Sequence, residues 1–300
     1  MTLKVLAPGL HTLLVDCGRP GSRSLGVPVG GAADRFSLAI GNALVGNAPD
    51  AVALEINLSG PTLEATCSLA CVLWGANFEL CRNERALRTG YTFNLEPGDL
   101  VRIGGCNQGA RAYFCVRGGF DTPPILASRS ALTPLQAADS LACQPGSTKG
   151  RTVRGPWIWN REPSVLRVLD GSQAAWFSKN EFFEQSFTVS PASNRMGLRL
   201  IGRPLTQTPI EIVSEPVCPG TVQVTRDGQC IVLGVDGQTI GGYPKMAQVI
   251  SADTDKLAQL RAGDKICFRA VSLEVAERIY RQKRAEINEW VLRLNEAREF

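Results

Sequence analysis

The sequence predicts a mainly β protein made of two β-barrel halves related by internal duplication, with short helices and a long C-terminal helix. Three observations support this prediction. Glycine and proline number 30 and 18, which suits many strands joined by tight turns. Short apolar runs recur between these residues. The two halves of the chain also resemble each other at a nearly constant offset, as expected for a duplicated structural unit.

The predicted strands are short and rich in β-branched and aromatic residues. Examples are CSLACVLWG, DLVRIGG, ARAYFCVRGG, GTVQVTRDG and CIVLGVDG, each bounded by turn-forming residues or by a change to polar sequence. Closing such strands into a barrel removes exposed edges, which would otherwise pair with other chains.

The internal repeat has an offset of about 160 residues and predicts halves at 1–150 and 160–271. The stretch 145–164, PGSTKGRTVRGPWIWNREPS, has no clean period and is the expected join. The matching segments are Lys4-Val5-Leu6 with Arg167-Val168-Leu169, Asp34-Arg35 with Asn194-Arg195, Glu55 and Gly60 with Glu215 and Gly220, Leu73-Trp74-Gly75 with Val232-Leu233-Gly234, and Pro97-Gly98-Asp99 with Ala262-Gly263-Asp264.

Two segments have helical periodicity. Residues 33–44 carry Phe36, Ile40 and Leu44 at four-residue spacing, and Asp34 is placed to cap the start. Residues 272–297, within the terminal segment 272–300, have apolar side chains on one face and charges around the rest. We expect this amphipathic helix to pack on its own domain or on a partner.

Composition excludes several classes of protein. The net charge is +4, and no basic block interleaved with aromatic residues occurs, which argues against nucleic-acid binding. No apolar run is long enough for a membrane span, and the N-terminus lacks the apolar core of a signal peptide. We therefore expect a cytoplasmic protein without membrane association. The ten cysteines include no C-x-x-C pair, and the single histidine, His11, cannot build a usual zinc site. No metal site is predicted from these residues.

Residues 234–250, GVDGQTIGGYPKMAQVI, place unusual side chains between two strand-like runs. A connection between strands is normally short and polar. This one holds an amide, a hydroxyl, an aromatic ring and a cation, beside two glycines that let backbone approach a ligand closely. The alternative is a long hairpin loop folded onto the barrel. The candidate substrate-binding or catalytic residues here are Gln238, Thr239, Gly241, Gly242, Tyr243 and Lys245.

The repeat favours a function for this loop. The equivalent segment of the first half, ANFELCRN, has no glycine pair, tyrosine or lysine. A feature needed only to build the barrel would occur in both halves. The asymmetry therefore predicts that 238–245 is functional.

The repeated arginine and glutamate leave two interpretations open. Because both halves carry them, they could form a structural ion pair or hold the backbone of a repeated loop. Alternatively, Arg195, with Asn194 beside it, faces the same cleft as Lys245. There Arg195 would bind a carboxylate or phosphate with two parallel hydrogen bonds.

Five stretches together resemble the allophanate hydrolase subunit 2 family, and the resemblance covers about residues 3–272. They are APGLHTLLVDCGRPGSRSLGVPVGGAADRFSLAIGNALVGN, VRGGFDTPPILASRS, VSPASNRMGLRL, SEPVCPGTVQV and DGQTIGGYPK. This family includes the C-type subunit of bacterial ATP-dependent 5-oxoprolinase and part of the carboxyltransferase region of urea carboxylase. The resemblance implies two cyclophilin-like β-barrel halves. It also implies a subunit-B-like partner, with a subunit-A-like protein as a further candidate.

The chain departs from the family pattern at two places. After the SRS motif the family has a glycine-rich stretch with a further arginine, whereas this chain has ALTPLQAADS after Ser130. If that stretch closes over the substrate, the specific activity changes. Before the glutamine of QT-x-GGYP the family commonly has a bulky polar residue, whereas this chain has Gly237.

ATP-dependent opening of the lactam of 5-oxoproline is the activity that the resemblance first implies. It would place a phosphoryl group on the amide oxygen, and it would need cations and a carboxylate that holds magnesium or activates water. Lys245 and Arg195 suit the first role, and Glu215 or Asp236 the second. No Walker-type phosphate loop occurs, and the GRPG run at 18–21 is interpreted as a turn. ATP with Mg would be shared with the partner subunits, so we expect the chain alone to be inactive.

Two other functions remain open. Urea-type carboxyl transfer would hold carboxybiotin beside a small amide, with Gln238, Thr239 and the amides of Gly241-Gly242 as hydrogen-bonding groups. Biotin is a cofactor only in this alternative, and the chain carries no biotin-carboxylase region or biotin-carrier motif. Some relatives instead act with their partner as non-catalytic regulators of a sensor kinase.

Overall fold

The computed structural model describes residues 1–153, 164–206 and 212–296. The chain forms two compact units. The first consists of Met1–Gly18, Asp34–Trp159 and Glu286–Phe300, and the second of Arg19–Ala33 and Asn160–Ala285. These units differ from the predicted halves in that Arg19–Ala33 belongs to the second unit and the end of the C-terminal helix to the first. Residues 154–163 of the predicted join lie outside the described residues.

The first unit has two sheets over one apolar core. Its strands are β1 Thr2–Ala7, β2 Thr12–Val15, β3 Ala53–Asn57, β4 Thr62–Ala65, β5 Leu69–Gly75, β6 Phe78–Arg82, β7 Arg85–Leu87, β8 Phe93–Leu95, β9 Leu100–Cys106, β10 Arg111–Val116 and β11 Ser140–Ala142. One sheet has the order β11-β1-β4-β9-β6-β7, and the other β2-β3-β10-β5-β8. Leu3 and Leu63 of the first sheet and Leu54 and Phe114 of the second lie in the same buried cluster.

Helix α1, Arg35–Val45, lies in the first unit and confirms the predicted helix to within two residues at its start and one at its end. The carboxylate of Asp34 accepts the N–H of Ser37 at 2.8 Å and its hydroxyl at 2.7 Å. The predicted cap is therefore present, and it satisfies an N–H that the helix itself cannot. Gly46, with φ of 89°, ends the helix in the left-handed conformation.

The second unit contains a closed barrel. Its strands are β12 Ser164–Asp170, β13 Phe187–Val189, β14 Gly197–Ile201, β15 Glu215–Pro216, β16 Thr221–Val224, β17 Cys230–Leu233, β18 Ile240–Gly241, β19 Lys245–Val249 and β20 Lys265–Ala270, with helices α2 Lys179–Phe183 and α3 Thr254–Gln259. The barrel order is β12-β19-β16-β17-β14-β13-β20, and β15 pairs separately with β18. Phe182 and Phe268 stack inside it with ring centroids 4.6 Å apart. The mainly β fold class is confirmed.

One turn recurs in both units at the positions that the repeat aligns. Residues 96–99 and 261–264 each end in an aspartate whose carboxylate accepts the N–H three positions earlier, at 2.6 Å for Asp99 and 2.8 Å for Asp264. The residue before each aspartate is a left-handed glycine, with φ of 89° and 90°. A strand follows each turn. This part of the repeat reproduces the same local hydrogen bonding.

The aligned arginines instead lie in different local structures. Arg35 begins helix α1, whereas Arg195 lies in the turn before β14. Each donates from Nη2 to a backbone carbonyl, Arg35 to Cys17 at 2.9 Å and Arg195 to Gly31 at 2.7 Å. Both contacts are of the backbone-tether type that the sequence left open as one interpretation.

The C-terminal helix α4, Leu273–Glu296, matches the predicted 272–297. Within the second unit, Ala276 and Ile279 pack against a small apolar cluster with Ile250 and Ala252. Lys283 donates to the carbonyl of Ala252 at 2.7 Å. This part of the helix therefore packs on its own domain, as one of the two alternatives predicted. None of the described helices is long and apolar enough to cross a membrane.

The cysteines are free thiols, as their spacing predicts. Six of them are buried: Cys67, Cys71, Cys106, Cys115, Cys143 and Cys230. Burial raises the pKa of the Cys230 thiol to about 12. A neutral buried thiol packs as a small hydrophobe and is a poor nucleophile.

Candidate functional site

The loop at 238–245 is part of a small sheet rather than a plain hairpin. Strand β18 pairs with β15, which places Glu215 opposite Gly241. The N–H of Val217 donates to the carbonyl of Thr239 at 3.0 Å. Strand β19 then begins at Lys245. This pairing brings Glu215 beside a lysine that is 30 positions later in the chain.

Lys245 and Glu215 form an ion pair. The lysine side chain is 10% exposed and the glutamate side chain 40% exposed, so the pair lies at the edge of the barrel wall. The hydrogen bond from Lys245 holds the pKa of Glu215 below its ordinary value, against a smaller opposing effect of desolvation, and Gln173 adds to the lowering. Both groups are therefore charged near neutral pH, with the carboxylate orienting the ammonium.

Gln173 is the first site residue that the sequence analysis missed. Its N–H donates to the carbonyl of Lys245 at 3.2 Å, and its Oε1 accepts the N–H of Lys245 at 3.1 Å. Its Nε2 donates to the Glu215 carboxylate at 3.4 Å. A Cβ added at Gly171 would lie 2.2 Å from the carbonyl oxygen of Lys245, so only glycine allows this approach. The repeat had singled out Gly171, but nothing pointed to the glutamine two positions later.

Gln223 is the second residue missed. It lies on β16 opposite Lys245 and is 1% exposed. Its Nε2 donates to the carbonyl of Tyr243 at 3.4 Å, and its Oε1 accepts Gln238 Nε2 at 3.4 Å. A Cβ on Gly241 would come within 2.5 Å of Gln223 Nε2. The glycine therefore makes room for a buried amide that supports the loop from below.

The structure thus assembles most of the predicted loop residues around two buried amides. Gln238, Gly241 and the Tyr243 backbone contact Gln223, while Lys245 contacts Glu215 and Gln173. The Gly242 backbone comes near Ser214, whose Oγ would lie 3.3 Å from an added Cβ. Tyr243 is 39% exposed, so its ring is available to a ligand.

Arg195 and Asp236 form a second arrangement in the same unit. Arg195 Nε and Nη2 donate to the two carboxylate oxygens of Asp236 at 2.6 and 3.0 Å. This is the bidentate geometry predicted for Arg195, with a protein carboxylate as the acceptor. Asn194 Oδ1 accepts the N–H of Met196 at 2.8 Å, which shapes the turn. A cleft shared by Arg195 and Lys245, and a substrate contact by Asn194, stay predictions.

The magnesium role expected for Glu215 or Asp236 does not fit these contacts. Each carboxylate already faces a cation, Lys245 in one case and Arg195 in the other. Among the described residues, no group of three or more histidine, cysteine, aspartate or glutamate side chains is arranged to hold a metal. No step through magnesium is therefore derived for this chain.

Glu55, aligned with Glu215, has different partners. Its carboxylate pairs with Arg111 at 3.3 Å and accepts the hydroxyl of Tyr113 at 2.7 Å. Tyr113 in turn accepts the N–H of Asp34 at 2.8 Å. All of these side chains are buried, so this network holds the start of α1 against the sheet.

The model of the carboxyltransferase domain, subdomain A and B, matches residues 25–270 of this chain. The chain belongs to this carboxyltransferase family. It is 35% identical to the C-type subunit of 5-oxoprolinase from Escherichia coli, over 91% of this chain and 93% of that protein. It is 27% identical to urea amidolyase of Lachancea kluyveri, over 95% of this chain but 18% of that protein. The crystal structure of the K. lactis urea amidolyase superposes with a TM-score of 0.89 at 26% identity, covering 96% of this chain and 20% of that one.

In this carboxyltransferase family member, the SRS motif binds a carboxylate. Asp16 accepts the hydroxyls of Ser128 and Ser130 at 2.7 and 2.6 Å and the N–H of Arg129 at 2.6 Å. Burial would raise the pKa of Asp16, but these hydrogen bonds outweigh it and hold the pKa below its ordinary value. The motif therefore ties two loops of the first unit together.

The segment after Ser130, where the sequence departs from the family, packs along two strands. The N–H groups of Ala131 and Leu135 donate to Leu14 and Thr12 of β2 at 2.8 and 2.9 Å. That of Ala138 donates to Val5 of β1 at 2.8 Å. These bonds give the segment a structural role in the first unit, rather than the substrate-closing role considered from the sequence.

Proposed function

We propose that this chain is the C-type subunit of an ATP-dependent lactam hydrolase that opens 5-oxoproline to glutamate. The observation that carries the proposal is the near full-length match to the C-type 5-oxoprolinase protein of Escherichia coli, of which the chain covers 93%. Urea amidolyase is matched only over 18% of its length, so that protein contains much that this chain lacks. The lactam hydrolase requires no such additional segments within this chain.

The chemistry assigned to this chain centres on Lys245. Transfer of a phosphoryl group to the lactam oxygen develops negative charge there, and a preorganised ammonium stabilises it. Ring opening then breaks the C–N bond, and two waters are consumed in all, one for the amide bond and one for the phosphoryl group. The Gln238 amide and the backbone at Gly241 and Gly242 lie on the same loop and position the lactam.

Glu215 acts in this proposal as the group that orients Lys245. A carboxylate whose pKa is depressed by its lysine partner is a weak general base. The water-activating role considered from the sequence is therefore the less favoured one. Binding of a phosphorylated lactam would add a second anion beside Lys245, and the half-exposed Glu215 is free to yield part of the contact.

Reconstitution with partner proteins tests the proposal. The chain is purified alone and together with the subunit-A-like and subunit-B-like proteins, and ATP-dependent formation of glutamate from 5-oxoproline is measured. We expect turnover in the complete complex and none by the isolated chain. Turnover by the chain alone would contradict the requirement for partners, and an assembled but inactive complex would contradict the lactam substrate.

Carboxyl transfer is the second candidate, because the family model that matches this chain describes a carboxyltransferase domain. The same loop would hold carboxybiotin beside an amide, with Lys245 facing the carboxylate. The test offers the complex a biotinylated carrier protein loaded with labelled carboxylate. Transfer of label to urea or another small amide, without glutamate formation, would replace the lactam hydrolase proposal with this one.

A further inference from the structure

The segment 19–33 is the basic part of the second unit that the proposed function leaves unused. It contains Arg19 and Arg23 and no acidic residue. The N–H of Arg19 donates to Val29 at 2.7 Å, which closes the segment on itself. The N–H of Gly30 donates to Val235 at 2.9 Å, which ties it to the loop after β17. The sequence analysis interpreted the start of this segment only as a turn.

Arg23 is in an energetically unfavourable environment. In the described part of the chain, its Nη1 and Nη2 are buried and have no hydrogen-bond partner. Arginine keeps its positive charge in proteins, so burial without a partner is not relieved by losing a proton. Uncompensated burial of a charged group costs folding free energy. Such a group indicates either strain or a missing anion.

The surroundings in the same unit also have excess positive charge. Arg195 binds both oxygens of Asp236. A Cβ added to Gly30 would lie 3.2 Å from Arg19 Nη1 and 3.8 Å from Asp236 Oδ1, so Arg19 approaches the same aspartate. Counting Arg19, Arg23 and Arg195 against Asp236, three positive charges meet one negative charge, a surplus of two. A dianion would balance this surplus.

The turn that carries Arg23 is accessible from outside. Ser22–Leu25 forms a short 3-10 helix between Gly21 and Gly26, both left-handed with φ of 90° and 78°. An added Cβ at either glycine would meet nothing within 4 Å, so these glycines serve the backbone conformation and solvent lies beside them. Leu25 is largely exposed. A small shift of this turn therefore brings the guanidinium to a ligand arriving from solvent.

We propose that Arg23 anchors a binding site for a phosphate-type oxyanion on the segment 19–31. The planar guanidinium offers two parallel N–H donors to two phosphate oxygens, the partners that its buried nitrogens lack. The site goes beyond the proposed function, since no step there uses Arg23. It also stands independently of the reaction, because binding is measured without turnover.

Phosphate titration of the full chain tests the site. Inorganic phosphate is titrated by calorimetry, and the melting temperature is followed with increasing phosphate, for the wild type, Arg23→Gln and Arg226→Gln. Arg226 is an exposed arginine in the turn between β16 and β17 and serves as the matched control. We expect wild-type binding and thermal stabilisation, at least a tenfold loss of affinity in R23Q, and no change in R226Q.

A stability measurement separates binding from a structural role. In phosphate-free buffer, we expect R23Q to unfold at the same temperature as the wild type or higher, because it removes an unpaired buried charge. A lower melting temperature for R23Q, or unchanged phosphate affinity, would overturn the proposal. If R23Q does not fold, the structural role is established and the proposal is wrong. Acetate serves as the second anion, and Arg23-dependent binding of acetate without binding of phosphate would reject the assignment to phosphate.

Discussion

Gln173 and Lys245 hold each other through two reciprocal hydrogen bonds, although 72 positions separate them. The N–H of Gln173 donates to the carbonyl of Lys245 at 3.2 Å, and the N–H of Lys245 donates to Gln173 Oε1 at 3.1 Å. The free end of the same amide reaches Glu215. The glutamine thereby sets the position of both members of the ion pair.

Lys245→Met should abolish activity of the reconstituted complex. The side chain is buried and leaves Glu215 without its cation, but Glu215 is 40% exposed and water can replace the contact. We therefore expect a stability loss of only about 1 kcal/mol, or roughly 2–4 °C in melting temperature. Steady-state kinetics and thermal unfolding check this. Lys179→Met, which breaks the exposed pair with Asp170 in the same unit, should leave both quantities unchanged.

Gln173→Leu should lower kcat while leaving the ion pair in place. The Gln173 amide helps to hold the pKa of Glu215 down, after the larger effect of Lys245. Without it the pKa of Glu215 rises toward its ordinary value, so the acidic limb of the pH–rate profile moves to higher pH. We expect a kcat decrease of about tenfold, equivalent to about 1.4 kcal/mol. A profile identical to that of the exposed control Gln136→Leu would argue against positioning by Gln173.

Gly241→Ala should destabilise the protein far more than Gly242→Ala. A Cβ at Gly241 would lie 2.5 Å from the buried Gln223 Nε2, whereas at Gly242 the nearest atom is Ser214 Oγ at 3.3 Å. Displacing Gln223 also disturbs its contacts with Gln238 and Tyr243. We expect a loss of about 1–3 kcal/mol for the first variant and under about 0.5 kcal/mol for the second, measured by urea unfolding. Equal losses would show that Gln223 can move freely.

Asp253→Asn should remove a pH-dependent part of the stability. Asp253 is fully buried and accepts three bonds from Arg167, at 2.9, 2.9 and 2.6 Å. Burial would raise its pKa, but the bonds from Arg167 and the charge of Lys256 outweigh this and hold the pKa below 3.8.

Since the folded pKa is depressed, the stabilisation is present above the ordinary pKa and is lost as the pH falls through the folded value. We expect Asp253→Asn to cost about 2–3 kcal/mol at pH 7 and to show less further loss in acid than the wild type. Unfolding free energies at pH 7 and at acidic pH measure this. Asp121→Asn, which alters an exposed pair with Arg129, should behave as the wild type.

Ala138→Gly should stabilise the protein. Ala138 occupies, with φ of 73°, the position that Gly98 and Gly263 occupy in the equivalent turns. An L-residue in this conformation costs about 1 kcal/mol relative to glycine. We expect a gain of about 0.5–1 kcal/mol, and a loss of similar size for Gly98→Ala, where an added Cβ would meet nothing within 4 Å. Chemical denaturation measures both, and a destabilised Ala138→Gly would refute the strain.

Local patterns account for what the sequence alone determined. The mainly β class, the family, the Asp34 cap and the bounds of α4 all follow from motifs, alternation, capping and periodicity along the chain. The candidate loop was also visible, since its glycine pair, amide and lysine have no counterpart in the first half. These features depend on neighbours along the chain, and so they can be predicted without tertiary contacts.

Only the tertiary structure decided which residues surround the candidate site. Gln173 and Gln223 are ordinary polar residues in sequence, and they matter because barrel pairing brings β16 and the loop after β12 to Lys245. Likewise, the tertiary structure assigns Arg19–Ala33 to the second unit and leaves the Arg23 nitrogens buried without partners. The physical reason is that hydrogen-bond partners and desolvation depend on residues tens of positions apart, which strand pairing alone brings into contact.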